Sequence, residues 1–181
     1  MRITGADPNL PLRTRRLTLR WPESADAPAI ERHLAGAEVA ERTASIPHPY
    51  PEGGASDFLA SARFANTRGD ASHMVIIEND TDVLIGFVSI VRDLEAEVGR
   101  LGYWVGAAHW GHGYATEAVG AIILHAATRM GLSAIAAEVF PDNTESINVL
   151  TKNGFVRVAA YEKDFPVRGG RRTVERWERE V

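Results

Sequence analysis

The chain has 181 residues, 45% of them hydrophobic and 24% charged, with a formal net charge of −4 and no cysteine. That is enough for one domain with a sizeable core, and the missing thiols exclude disulfides, thiolate metal sites and a cysteine nucleophile, as fits a reducing cytoplasm. The acidic balance argues against a general nucleic-acid-binding surface, residues 1–16 lack the apolar stretch of a secretory signal, and no apolar run approaches the roughly 20 residues that span a bilayer.

A polar lead over 1–12 reads as flexible, and 17–20 (LTLR) alternates as a strand. Ser24 or Asp26 can cap a helix to about Gly36, with Ala27, Ile30 and Leu34 on one face. The proline- and glycine-rich segment 46–54 is a loop, and a second helix follows over 56–67. Segments 73–78 and 83–92 are strands joined by the hairpin turn NDTD. Segment 98–106 is a third strand whose glycines suggest a bend or bulge. Apolar positions from Tyr114 to Met130 have helical spacing, and Gly131 ends that helix. Strand 134–140 comes next, then a helix capped by Asp142 or Asn143 and closed by Asn153 and Gly154. Strands 155–165 and 171–180 flank the turn VRGG. The order β-α-α-β-β-β-α-β-α-β-β predicts a mixed α/β fold with hairpins in its first half and one central strand–helix–strand crossover, in a single domain over 1–181.

The stretch WGHGYATEA (110–118) lies between a strand and a helix. Two glycines there let the backbone approach a ligand closely. The first helical amides lack intrahelical acceptors, and the dipole favours an anion such as phosphate. A plain tight turn would use the same glycines. A Walker loop is excluded, since Tyr114 and Ala115 follow Gly113 where lysine and a hydroxyl residue are required. A dinucleotide fingerprint is excluded too: position 116 is threonine, and AAHW separates the strand from the loop. Glu138 stands about where a ribose-binding acid would fall, but the preceding strands form hairpins, not βαβ units.

GYWVGAAHWGHGYATEA (102–118) and FPDNTESINVLTKNGF (140–155) together resemble the GNAT-type N-acetyltransferases, most of all the RimJ/RimL group, which acetylates N-terminal amines of ribosomal proteins. The likeness spans about residues 13 to 180 in element order. It implies a GNAT-like α/β fold: a mixed, mostly antiparallel central sheet with flanking helices, whose parallel strand pair splays around acetyl-coenzyme A as acetyl donor. The amides of Gly111, His112, Gly113, Tyr114 and Ala115 would hold the pyrophosphate, with the Thr116 hydroxyl helping. The pantetheine arm would pair with the backbone near Trp104 and Val105. The implied activity is acetyl transfer to a primary amine by direct attack, and the implied acceptor is a peptide N-terminus or a small amine. No metal is expected, because the six histidines form no ligand set. Monomer and homodimer both stay open.

Asn143 and Ser146, at i and i+3, can face one site. The resemblance makes Asn143 a cofactor contact and Ser146 the group that returns a proton to the leaving thiolate. From spacing alone, Asn143 reads as an N-cap and Ser146 as a neutral helix residue. The base is not evident. Where the family often carries an acid before Gly-Tyr-Trp, this chain has Arg100, and Arg157 and Val158 occupy a second acidic place. Glu97 and Glu138 remain as acids on strands. A water chain can serve instead, since an α-amine of pKa about 7.7–8.0 is partly neutral at physiological pH. His112 can reach a phosphate or simply be exposed, and His48 can line the acceptor pocket or belong to a rigid loop. Tyr103 and Trp104 alternate, so only one faces the core. Glu117 suits the first helical turn, and Lys152 reads as solvated. The competing readings are a coenzyme-A-binding sensor without chemistry and, more distantly, a nicotinamide-dependent oxidoreductase.

Overall fold

A computed structural model describes residues 10–93 and 98–181. Most of the expected lead, residues 1–9, and Glu97 lie outside the described residues. The chain order is β1 (Leu12–Arg13), β2 (Leu17–Arg20), α1 (Ala27–Leu34), α2 (Ala37–Glu41), α3 (Gly54–Arg68), β3 (Ala71–Glu78), β4 (Val83–Asp93), β5 (Val98–Val105), α4 (Tyr114–His125), β6 (Ala134–Val139), α5 (Thr144–Lys152), β7 (Val156–Phe165) and β8 (Gly170–Glu180). The eight strands form one sheet in the order β1-β2-β3-β4-β5-β6-β8-β7. Every neighbouring pair is antiparallel except β5 and β6, as the strand–helix–strand crossover requires.

Both sheet faces are covered. Val119, Ile122 and Ile123 of α4 and Leu150 of α5 pack with Met74, Ile90 and Ile135 on one face. Ile30 and Leu34 of α1, Val39 of α2 and Leu59 of α3 pack with Val75 and Phe87 on the other. The apolar spacing of each helix is thus the stripe it buries.

Three details differ from the sequence expectation. Leu12, placed at the end of the flexible lead, pairs with Leu19, and Arg13 beside it pairs with Thr18. Helix α2 lies in a stretch that shows no helical period, because five residues are too few to display one; its Val39 and Ala40 are nonetheless buried. The helix expected to reach Met130 is regular to His125 and then widens into a π-helical turn, Ala126–Met130. Gly131 closes that turn at φ 65°, and Leu132 follows it into the core.

Candidate active site

The site begins where the sheet divides. Strands β5 and β6 share only the pairs Gly99↔Ile135 and Arg100↔Ala136, whereas β5 pairs with β4 along its whole length. Beyond Arg100 one edge of β5 is therefore without a strand partner. Gly106 donates to the Ile85 carbonyl (2.8 Å), so ladder alternation turns the polar backbone of Gly102, Trp104 and Gly106 toward β4. That of Leu101, Tyr103 and Val105 faces the gap. Of the two residues expected to pair with a pantetheine arm, Val105 presents its carbonyl there. The Trp104 carbonyl points to β4, where it stands 2.4 Å from where a Cβ on Gly86 would lie. The Trp110 indole donates to the Val105 carbonyl at 2.6 Å.

Gly111 (φ 80°) and Gly113 (φ 78°) both take the left-handed conformation that side chains disfavour, and a Cβ on Gly111 would meet nothing within 4 Å. The loop is therefore glycine-rich for its backbone path and its open face. Among the described hydrogen bonds, none takes up the amides of 111–116; the ladder of α4 begins with Glu117 donating to the Gly113 carbonyl (3.1 Å). Such a cluster of free amides at a helix N-terminus fits a pyrophosphate. The cradle is braced from outside. Arg16 donates to the His112 carbonyl (2.9 Å), pairs with Glu117 (2.7 Å) and lies 4.7 Å from the Tyr114 ring centroid. Glu117 also accepts from Thr14 (2.7 Å), the Tyr114 hydroxyl donates to Glu78, and Asn153 donates to the Thr116 carbonyl (3.2 Å). Burial pushes the Glu117 carboxyl up, but its hydrogen bonds from Thr14 and Arg16 outweigh that and hold it low.

Helix α5 starts across the gap. Asn143 is its N-cap: Oδ1 accepts from the Ser146 amide (3.1 Å), and Nδ2 donates to the Arg42 carbonyl (2.9 Å). Both ends of this amide are thus committed, one to α5 and one to the segment after α2. The same segment is tied down by Arg168 of the β7–β8 turn, which donates to the Thr43 carbonyl (2.8 Å) and to those of Ala40 and Ile46. The Ser146 hydroxyl shares a 2.6 Å hydrogen bond with that of Tyr103. Burial pushes the Tyr103 phenol up to about 12, only partly offset by Ser146.

Two cavities meet at this point. One, of about 540 Å³, runs along Val105, the glycine loop and the first turns of α5. The other, of about 420 Å³, lies over the sheet around His73, Phe87, Gly102 and Glu138, under Phe58 of α3. Arg42, Thr43, Tyr103, Trp104, Asn143 and Ser146 line both. Gly111, Gly113, Tyr114, Ala115 and Thr116 border the first cavity, as does Lys152. His112 is exposed beside it, and His48 is exposed and lines neither cavity. Trp104 turns its ring into the core beside α1 and α3, whereas Tyr103 packs against the opposite cluster. Of the acids, Glu138 accepts from Tyr161 (2.5 Å) and Lys163 (2.6 Å); partial desolvation pushes its carboxyl up, but these bonds outweigh that and hold it low. Arg157 pairs with Glu175 at 2.8 Å.

Residues 16–156 match the acetyltransferase (GNAT) domain family. The chain belongs to the GNAT acetyltransferases. It is 34% identical to the uncharacterized N-acetyltransferase p20 of Bacillus licheniformis over 157 residues, 84% of this chain and 87% of that one. Two solved structures share the fold. Mycobacterium smegmatis RimJ in complex with a CoA disulfide superposes with TM-score 0.81 at 24% identity, covering 94% of this chain and 86% of that one. The ribosomal-protein-S5-alanine acetyltransferase of Vibrio fischeri does so with TM-score 0.82 at 20% identity, covering 94% and 96%. The GNAT chain is thus an acyltransferase, and it shares its fold with RimJ/RimL-type structures.

The structure brings the glycine loop, Asn143 and Ser146 of the sequence reading to the wall of one cavity. The sequence reading missed Tyr103 as a partner of Ser146, and Arg16, Arg42 and Arg168 as braces. The alternation of Tyr103 with Trp104 was visible, but which of them faces the gap depends on where β6 separates. The arginine contacts join segments about a hundred residues apart, and no local pattern encodes them.

Proposed function

We propose that this GNAT chain transfers the acetyl group of acetyl-coenzyme A to the α-amine of a peptide N-terminus by direct attack. The observation that carries the reading is the Ser146–Tyr103 hydroxyl pair on the wall shared by the two cavities. The donor would lie in the first cavity and supply the activated thioester; the structure of a fold relative with a CoA disulfide supports that choice. The amides of 111–116 bind the pyrophosphate, and the Val105 carbonyl, now taken by Trp110, offers its free lone pair to the pantetheine arm. The acceptor would enter from the second cavity. Its neutral amine attacks the thioester carbonyl, the carbon–sulfur bond breaks, Ser146 passes a proton to the sulfur while Tyr103 replaces it, and the attacking nitrogen gives up its extra proton to water, from which Tyr103 is reprotonated. Asn143 holds the Ser146 backbone and the Arg42 segment in place rather than moving a proton. Among the described residues lining the cavities, the carboxylates are Glu145 and Glu138, both paired with cations. An amine that is neutral without a strong base fits this: an α-amine is, whereas a lysine amine of pKa about 10.4 is charged.

The test is thiol release from acetyl-coenzyme A with two matched peptides, one with a free N-terminus and one with a blocked N-terminus and a single internal lysine. The first should react faster. Equal or faster reaction of the lysine peptide overturns the α-amine reading.

A further inference from the structure

The charge of the second cavity narrows the acceptor further. Among the described residues that line it, the charged ones are Arg42, Arg100, Arg176 and Glu138. Three of the four are neutralised. Arg42 pairs with Glu145, Arg176 with Glu178 (2.7 Å), and Glu138 with Lys163 (2.6 Å). Arg100 is different. Its ion pair with Asp93 spans 3.9 Å, beyond hydrogen-bond reach. It also stands at the last shared pair of β5 and β6, where the two strands part, with its side chain 60% exposed. Along β5 it shares a face with Gly102 and Trp104. Gly102 leaves that face open: a Cβ there would meet only the Ser89 hydroxyl, at 3.4 Å. A guanidinium thus stands at the divide, beside an uncrowded stretch of sheet that leads toward Ser146. Its field reaches Glu138 and helps keep that carboxylate ionised.

We propose that Arg100 selects acceptors by charge: the preferred amine carries a carboxylate or another anionic group near the amine, and polycationic amines are rejected. A guanidinium fork takes a carboxylate with two parallel hydrogen bonds, which fixes orientation as well as adding attraction. A cationic acceptor would instead meet the exposed guanidinium as a like charge. The proposal rests on the reading that the second cavity receives the acceptor. On a peptide, the anionic group is an acidic side chain just after the N-terminal residue; on a small molecule, it is the carboxylate of a free amino acid.

The experiment uses the full chain and two acceptor panels. One holds peptides with free N-termini and acidic, neutral or basic residues at their second and third positions. The other holds glutamate, glycinamide and putrescine. Turnover with acetyl-coenzyme A is measured for both, and each acceptor is also titrated calorimetrically into coenzyme-A-saturated protein, so that charge preference is read even where turnover is slow. In whichever panel binds or reacts, the acidic member should exceed the basic member at least tenfold in kcat/KM or affinity. Arg100→Glu should reverse that order, and Arg100→Lys should keep it. A basic acceptor preferred by the wild type, or an order unmoved by Arg100→Glu, overturns the proposal. Which panel reacts bears separately on the N-terminal reading: small amines alone would end that reading and leave the charge test standing.

Discussion

The two hydroxyls of the site differ in what they can do. Ser146 and Tyr103 both border the two cavities, their hydroxyls 2.6 Å apart. Ser146→Ala should lower kcat by about 100-fold or more, the usual worth of a positioned acid, with little change in acetyl-coenzyme A affinity, because the proton is needed only in the transition state. Tyr103→Phe should fall between this variant and the wild type, since water can resupply Ser146. Steady-state kinetics on both variants decides it, and an unaffected Ser146→Ala enzyme would remove the serine from the chemistry. With the phenol pushed up to about 12, the wild-type rate should rise as the α-amine deprotonates near pH 8 and then level off, without an alkaline fall from Tyr103. At this scale the sequence was half legible. Ser146 was singled out by the resemblance of 140–155 to the acetyltransferases, whereas Tyr103 depends on a strand separation that no local pattern records.

At the scale of elements, the glycine loop is set by backbone conformation more than by space. A Cβ on Gly113 would find the Arg16 guanidinium at 3.6 Å, an ordinary contact, but φ there is +78°. A β-branched residue at that angle strains the turn and moves the amides that begin α4. Gly113→Val should therefore weaken acetyl-coenzyme A binding at least tenfold, about 1.4 kcal/mol, in a calorimetric titration, while far-ultraviolet circular dichroism keeps its wild-type shape. Unchanged affinity would place the phosphates elsewhere. The loop, the hairpins and the long helices were legible because each carries its own signal: periodicity, a turn sequence, or a glycine at a cap. Helix α2 was not. It is held by Arg168 and Asn143 reaching from distant segments, so its position is a property of the assembled molecule.

At the scale of the whole molecule, a buried imidazole links stability to pH. His125, 6% exposed, meets Ser72 at 3.0 Å through Nε2, while its Nδ1 has no partner among the described residues. Burial, with a smaller push from Arg129, lowers its pKa from 6.5 to about 4. Between those values the unfolded chain binds a proton that the folded chain refuses. Unfolding free energy should therefore fall as pH drops from 6.5 toward 4, by up to about 3 kcal/mol from this residue. His73, also lowered to about 4 by burial, acts in the same direction. Urea denaturation at pH 7 and pH 4.5 should show the loss, and His125→Gln should reduce it; an identical pH dependence in the variant would mean that other groups set it.

The division of the sheet has a mechanical consequence. With only Gly99↔Ile135 and Arg100↔Ala136 shared, β1 to β5 form one ribbon and β6, β8 and β7 another, joined by a short seam. A molecule lodged between the free edge of β5 and the start of α5 would act as a splice across that seam. Amides on both ribbons, at 101–105 and at 137–139, should then exchange with deuterium more slowly when coenzyme A is added, although the ribbons themselves gain no hydrogen bond to each other. The donor would be consumed as a reagent and, while it stays, would serve as a structural member of the sheet.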